Sequence, residues 1–164
     1  MKIPTLEQLP ETLRNVRTRP LFNFFVQVRK PDIVGTSPDG YRRVGVIARG
    51  SFEGERLSGE VLDGGSDWQR LRPDGATTID VRLVLRTRDQ ALIAMQYRGF
   101  RHGPSEVIAR LDRGEEVDAS QYYMRIVPVF ETAAPQYDWL NRTIAYGIGQ
   151  RNAEGALYSV FEML

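Results

Sequence analysis

Between Ile79 and Leu85 an apolar side chain falls at every second position, with Asp80, Arg82 and Val84 in between. A period of two is the mark of a strand whose two faces meet different surroundings. The same texture recurs along most of the chain. LFNFFVQVRK (21–30) is aromatic and β-branched and closes at Pro31; the turn SPDGY (37–41) then leads into YRRVGVIARGSFEG (41–54), whose glycines predict bends or bulges. ERLSGEVLDGG (55–65) continues the pattern. After the turn at Pro73-Asp74-Gly75, ATTIDVRLVLRT (76–87) and ALIAMQYRGFR (91–101) form a predicted hairpin about the short turn RDQ (88–90). QYYMRIVPVFET (121–132) reads as a strand in which Pro128, having no N–H to donate, must lie at an edge or a bulge. Residues 137–164 read as two further strands around turn residues 151–155. One stretch has helical spacing: PSEVIARLDR (104–113), with an early proline, Val107, Ile108 and Leu111 on one face, and Gly114 after the last turn.

Eight or nine short strands at even spacing, with one small helix, predict an all-β fold: a single antiparallel β-barrel of about eight to ten strands with one short helix. Closure is favoured because it removes strand edges that would otherwise pair with other chains. The barrel is expected over residues 21–164. Residues 1–20, in which Pro10 breaks two short apolar periods, are expected to form an N-terminal arm.

Composition narrows the function classes. At 164 residues, 41% hydrophobic and 26% charged, the chain is an ordinary globular domain with no apolar run long enough to span a membrane as a helix. No secretory pattern opens it, and a cytoplasmic location is expected. There is no cysteine, which excludes disulfides, thiolate metal sites and cysteine nucleophiles. The net charge of +1 lacks the surplus that nucleic-acid binding requires. His102 is the only histidine, so neither a zinc centre nor a non-haem iron centre is expected, and no cofactor is called for. Gly147-Ile148-Gly149 has the spacing of a dinucleotide fingerprint, but Asn152 stands where the third glycine belongs and no helix follows.

The candidate chemistry is therefore polar side chains on strands. Asp80 and Arg82, two residues apart, leave the same face of one strand, about 7 Å apart from a rise of roughly 3.3 Å per residue. They either face solvent, with Ile79, Val81, Leu83 and Leu85 in the core, or line a pocket while those apolar residues meet another layer. Arg125 poses the same choice. Each tryptophan follows an acid, as Asp67-Trp68 and Asp138-Trp139, and aromatic walls with a few convergent polar groups build small-molecule pockets.

The ordered set Gly64-Gly65-Ser66-Asp67-Trp68, Pro73-Asp74-Gly75, Asp80-Val81-Arg82, Tyr123-Met124-Arg125, Phe130-Glu131-Thr132 and Tyr137-Asp138-Trp139-Leu140-Asn141 resembles the domain-of-unknown-function family numbered 3237. The resemblance spans roughly residues 20–162 and implies a compact antiparallel barrel; it carries no established reaction. With its weight added, Asp80, Arg82 and Arg125 are expected to line a pocket, and residues 64–68 to form a bent loop at the barrel mouth that brings Asp67 and Trp68 over it.

Three functions follow from that expectation. The first is a cofactor-free lyase, isomerase, cyclase or hydrolase. In it Asp67 or Asp80 is the general acid or base, Arg82 or Arg125 the anion anchor, and Tyr97 or Asn141 orients a small aromatic or acidic molecule against Trp68 and Trp139. The second is a non-catalytic carrier barrel. The third is a scaffold whose apolar strand faces build a homodimer or higher homo-oligomer around no cavity.

Overall fold

In the computed structural model, which describes residues 3–164, the alternating stretches become ten antiparallel strands: β1 (Thr18–Val28), β2 (Asp32–Ser37), β3 (Gly40–Glu53), β4 (Ser58–Val61), β5 (Ser66–Leu71), β6 (Thr77–Thr87), β7 (Leu92–His102), β8 (Tyr123–Glu131), β9 (Ala145–Arg151) and β10 (Ala156–Met163). β3, β4 with β5, β6, β7, β8, β9 and β10 follow one another around the wall, and β1 pairs with both β10 and β3, which closes the sheet into a barrel of eight staves. β2 lies outside that ring, on β3.

β4 and β5 form a single stave. Both pair with β3 on one side and β6 on the other, and the register against β6 slips between Val61↔Leu85 and Ser66↔Arg82. The slip is taken up at 62–65. There Gly64 has φ +98, a left-handed conformation that costs an L side chain, and the Ile47 N–H donates to the Gly65 carbonyl. The expected loop at the mouth over 64–68 is thus a bulge within the wall followed by regular strand.

Alternation sorts the side chains. Along β6, Ile79, Val81, Leu83 and Leu85 are buried, and along β7, Ile93, Met95 and Tyr97 join them. Phe22, Phe52 and Phe130 meet in edge and tilted contacts, and Phe24 stacks on Tyr158 with ring centroids 4.9 Å apart. Such pairs add roughly 0.5–1.5 kcal/mol each beyond the area they bury. Pro128 sits in β8 just past Arg125 and Ile126, where pairing with β9 ends, so its missing N–H is not needed there.

Helices are few. α1 (Glu11–Arg14) is one turn with no buried residue, and α2 (Ser105–Asp112) connects β7 to β8 with Val107, Ile108 and Leu111 packed on the barrel. Gly114, φ +80, ends α2 as its sequence predicts. Residues 135–142 are a 3₁₀ helix, not the expected strand, opened by Pro135 and tied by an Arg142–Asp138 bridge of 2.8 Å one turn apart. Among the described residues no helix is long and apolar enough to cross a membrane.

Candidate active site inside the barrel

The inward positions of the strands change character along the barrel. Where Phe22, Phe52 and Phe130 meet, the interior is apolar; toward the start of β3 and the ends of β5, β7 and β9 it becomes polar. Continuing the inward parity of β7 beyond Ile93, Met95 and Tyr97 brings in Arg101, and that of β9 beyond Gly147 and Gly149 brings in Arg151. β5 contributes Asp67 and Gln69, β6 Thr77, and β10 Tyr158. These side chains line a small pocket of about 20 Å³, room for one water molecule.

Asp67 is one of its lining residues and is 6% exposed. Its Oδ2 accepts from the Gln69 amide, and its Oδ1 has no partner. Burial pushes the carboxyl up to about 6, against the Gln69 hydrogen bond and the fields of Arg151, Arg43 and Arg101, which favour the carboxylate. Tyr97 and Tyr158 pack as a tilted pair with centroids 5.7 Å apart, both 2% exposed. Burial raises both phenols and the Asp67 charge raises them further, so they stay protonated and serve as donors.

Cations frame this end. Arg101, 4% exposed, donates to Asp112 of α2 at 2.8 Å, while its Nε has no partner. Arg43 of β3 donates through Nε to Gln69 at 2.7 Å and reaches Asp112 at 3.7 Å. Arg151 forms no ion pair among the described residues; burial, then repulsion from Arg101 and Arg43, lowers its pKa. Of four buried side-chain polar atoms left unpartnered among the described residues, Asp67 Oδ1, Thr77 Oγ1 and Arg101 Nε all belong to this pocket. Buried orphans are costly, and three of them around one space single this end of the interior out from the rest of the core.

Most of the residues expected at the site are elsewhere. Asp80 and Arg82 project from the outer face, because Ile79, Val81, Leu83 and Leu85 take the interior; Asp80 lies 3.4 Å from Arg98 on the neighbouring strand and Arg82 is exposed. Trp68, half exposed, gives its Nε1–H to Ser66 Oγ at 3.2 Å, and Ser66, Trp68, Asp80 and Arg82 share a shallow concavity on the outer wall. The expected neighbours do meet, on the wet side. Arg125 also points outward, over the Tyr123 ring at 4.8 Å. Trp139 packs under Arg56, whose guanidinium lies 3.9 Å from its ring and also donates to Glu162, four residues beyond Tyr158 on β10. Asn141 clamps the 3₁₀ helix to the end of β8, accepting from the Thr132 N–H at 2.8 Å and donating to the Thr132 carbonyl at 2.9 Å. Asp67 and Tyr97 alone of the expected set line the interior pocket.

A larger concavity, about 510 Å³, is an open groove on the outer wall that includes Arg82, Val84 and Val129. It encloses no buried ionisable group; of its two acids, Asp63 is bridged to Arg29 and Glu131 is exposed. The interior pocket is the smaller space but holds the perturbed groups. Among the described residues no three His, Asp or Glu side chains are grouped to hold a metal ion.

Comparison with known proteins follows the barrel along its length. A family model described as "Protein of unknown function (DUF3237)" matches residues 16–163. A UPF0311 protein of Rhodopseudomonas palustris is 32% identical over 149 residues, covering 91% of this chain and 97% of its own; its crystal structure superimposes with a TM-score of 0.89. A beta-barrel like protein from Acinetobacter baumannii is 38% identical, with 92% of this chain and 97% of the other covered at a TM-score of 0.81. An enzyme from Penicillium herquei shares the fold at 17% identity and a TM-score of 0.69, over 91% of this chain and 95% of its own.

Proposed function

Taking as premise that the chain belongs to the family of unknown function DUF3237, we propose that it is a cofactor-free enzyme that moves a proton on a small organic molecule held inside the barrel, as a lyase, isomerase, cyclase or hydrolase does. The observation that supports this reading is Asp67: a carboxyl enclosed by strands, with one oxygen unpartnered and a pKa near 6, set beside two protonated phenols. Near neutral pH it is largely ionised yet poorly solvated. That combination makes a general base whose affinity for a proton matches the working pH.

The roles divide by chemistry. Asp67 Oδ1 takes the proton, and Gln69 fixes the carboxyl by holding Oδ2. Tyr158, packed against Tyr97 and kept protonated by burial, offers a proton to oxygen that becomes electron-rich. Arg101 and Arg151 supply positive charge that strengthens as anionic character develops, in surroundings where water screens little. Asp80, Arg82 and Arg125 have no part, because the wall separates them from the pocket.

The test is a panel of small organic acids, lactones and phenols incubated with the protein in D₂O and followed by ¹H NMR. Deuterium incorporation or conversion that Asp67→Asn abolishes and Asp80→Asn leaves intact is the expected result. Compounds that bind and are recovered unexchanged would assign the barrel to the carrier class. Activity lost in Asp80→Asn and retained in Asp67→Asn would move the site to the outer wall.

A further inference from the structure

The polar end of the barrel is overloaded with positive charge. Arg43, Arg101 and Arg151 bring three guanidinium groups together there, against the carboxyls of Asp67 and Asp112. Enclosed charge without a counter-charge is costly, so an added anion is favoured.

Asp112 shows what kind of anion these arginines accept. It is the last residue of α2, where the helix dipole disfavours a carboxylate, and its side chain is 38% exposed whereas the Arg101 it engages is 4% exposed. Its position serves the arginines and not its own helix. A second connection runs inward, since Arg43, within 3.7 Å of Asp112, holds Gln69, and Gln69 holds Asp67. α2 is thereby linked to the buried acid. The pocket has room for one water molecule, so any larger molecule requires something around it to move.

We propose that Asp112 stands in for the carboxylate of the substrate: an organic carboxylate takes Arg101 and Arg43 from Asp112, α2 undocks to admit it, and the rest of the molecule lies toward Asp67, Tyr97 and Tyr158. This rests on the interior site of the proposed function and adds to it the substrate class and the route of access. Arg101 is well suited to the exchange because its Nε, orphaned beside Asp112, completes a two-pronged grip that Asp112 uses only in part.

Benzoate is the probe, with neutral benzamide and phenyl phosphate as controls, titrated by calorimetry into the wild-type chain, Asp112→Asn and Arg101→Gln. Removing the internal competitor should tighten benzoate about tenfold in Asp112→Asn, the loss of one charge-assisted contact to a competing group, and leave benzamide unchanged. Arg101→Gln should abolish benzoate binding. In the wild-type chain, benzoate should speed amide exchange in residues 105–113. Benzoate affinity unchanged or weaker in Asp112→Asn, no benzoate binding to either protein, or preferential binding of phenyl phosphate would overturn the proposal. If Asp112→Asn does not fold, exchange in the wild-type chain decides alone: acceleration by benzoate supports displacement, and slowing or no change refutes it. The two readings fail separately: benzoate binding that follows the Asp112 and Arg101 variants as expected, with no compound of the D₂O panel exchanged or converted, supports this inference and overturns the proposed chemistry alone.

Discussion

Asp67 costs the protein stability at the pH where its chemistry would be useful. The unfolded chain releases this proton near 3.8, while burial makes the folded chain keep it until about 6. Over that interval the unfolded state is progressively favoured, and above it the full penalty stands. Two pKa units correspond to about 3 kcal/mol, an upper bound for one carboxyl. Asp67→Asn, which is nearly isosteric, is therefore expected to raise Tm by several degrees at pH 7.5 and to give no gain at pH 4, as thermal unfolding at the two pH values would show. Lower stability of the variant at pH 7.5 would make Asp67 a structural anchor. The sequence singles out this residue but puts it in the wrong setting, with Trp68 on a bent loop over the barrel mouth. Asp67 and Trp68 are neighbours on a strand, so one faces in and one out. The register Asp67↔Val81, with Val81 fully buried, turns Asp67 inward and Trp68 to the outer face.

At the scale of strands, parity was legible and its consequence could be carried further. The alternation 79–85 correctly separates two faces, and the interior takes the apolar one; expecting Asp80 and Arg82 inside requires a second layer around the barrel that the chain does not supply. The same parity extended along β7 and β9 reaches Arg101 and Arg151, and this signal was available in the sequence. β2 and β5 escaped notice because DIVGTS and SDWQRL carry too few apolar residues for a period to show. The stretch 137–143 read as strand from its aromatics, but the i,i+4 pair Asp138–Arg142 and the opening proline belong to a helical turn. Gly147 and Gly149, so like a nucleotide fingerprint, are explained by what packs on them. A Cβ on Gly149 would lie 2.6 Å from Tyr158 Cε1 and 2.9 Å from Met124 Cγ. Gly149→Ala is predicted to destabilise the fold by about 1–3 kcal/mol through overpacking and to displace the Tyr158 ring. Denaturant titration and the Tyr158 ring shifts check both, and an unperturbed ring would show that β9 has slack there.

For the whole molecule, closure of the wall gives one interior with two characters. Its apolar part is filled by aromatic rings and sealed beyond Tyr158 by Glu162, which accepts from Arg19 and Arg56. Burial raises that carboxyl, but the two arginine bonds outweigh it and hold it below its usual range. The polar part concentrates buried charge, with Asp67, Arg101 and Arg151 set around one small space. The barrel class and most of its strands follow from periodicity alone; the site does not, because it is assembled from one or two residues on each of β3, β5, β6, β7, β9 and β10 that only the register brings together. The proposed chemistry requires this enclosure to hold Asp67 as a poorly solvated base. A ¹³C titration of the aspartate carboxyl resonances, with Asp67 identified by its loss in Asp67→Asn, measures that directly. A midpoint near 6 is predicted, and a midpoint at or below 4 would contradict it.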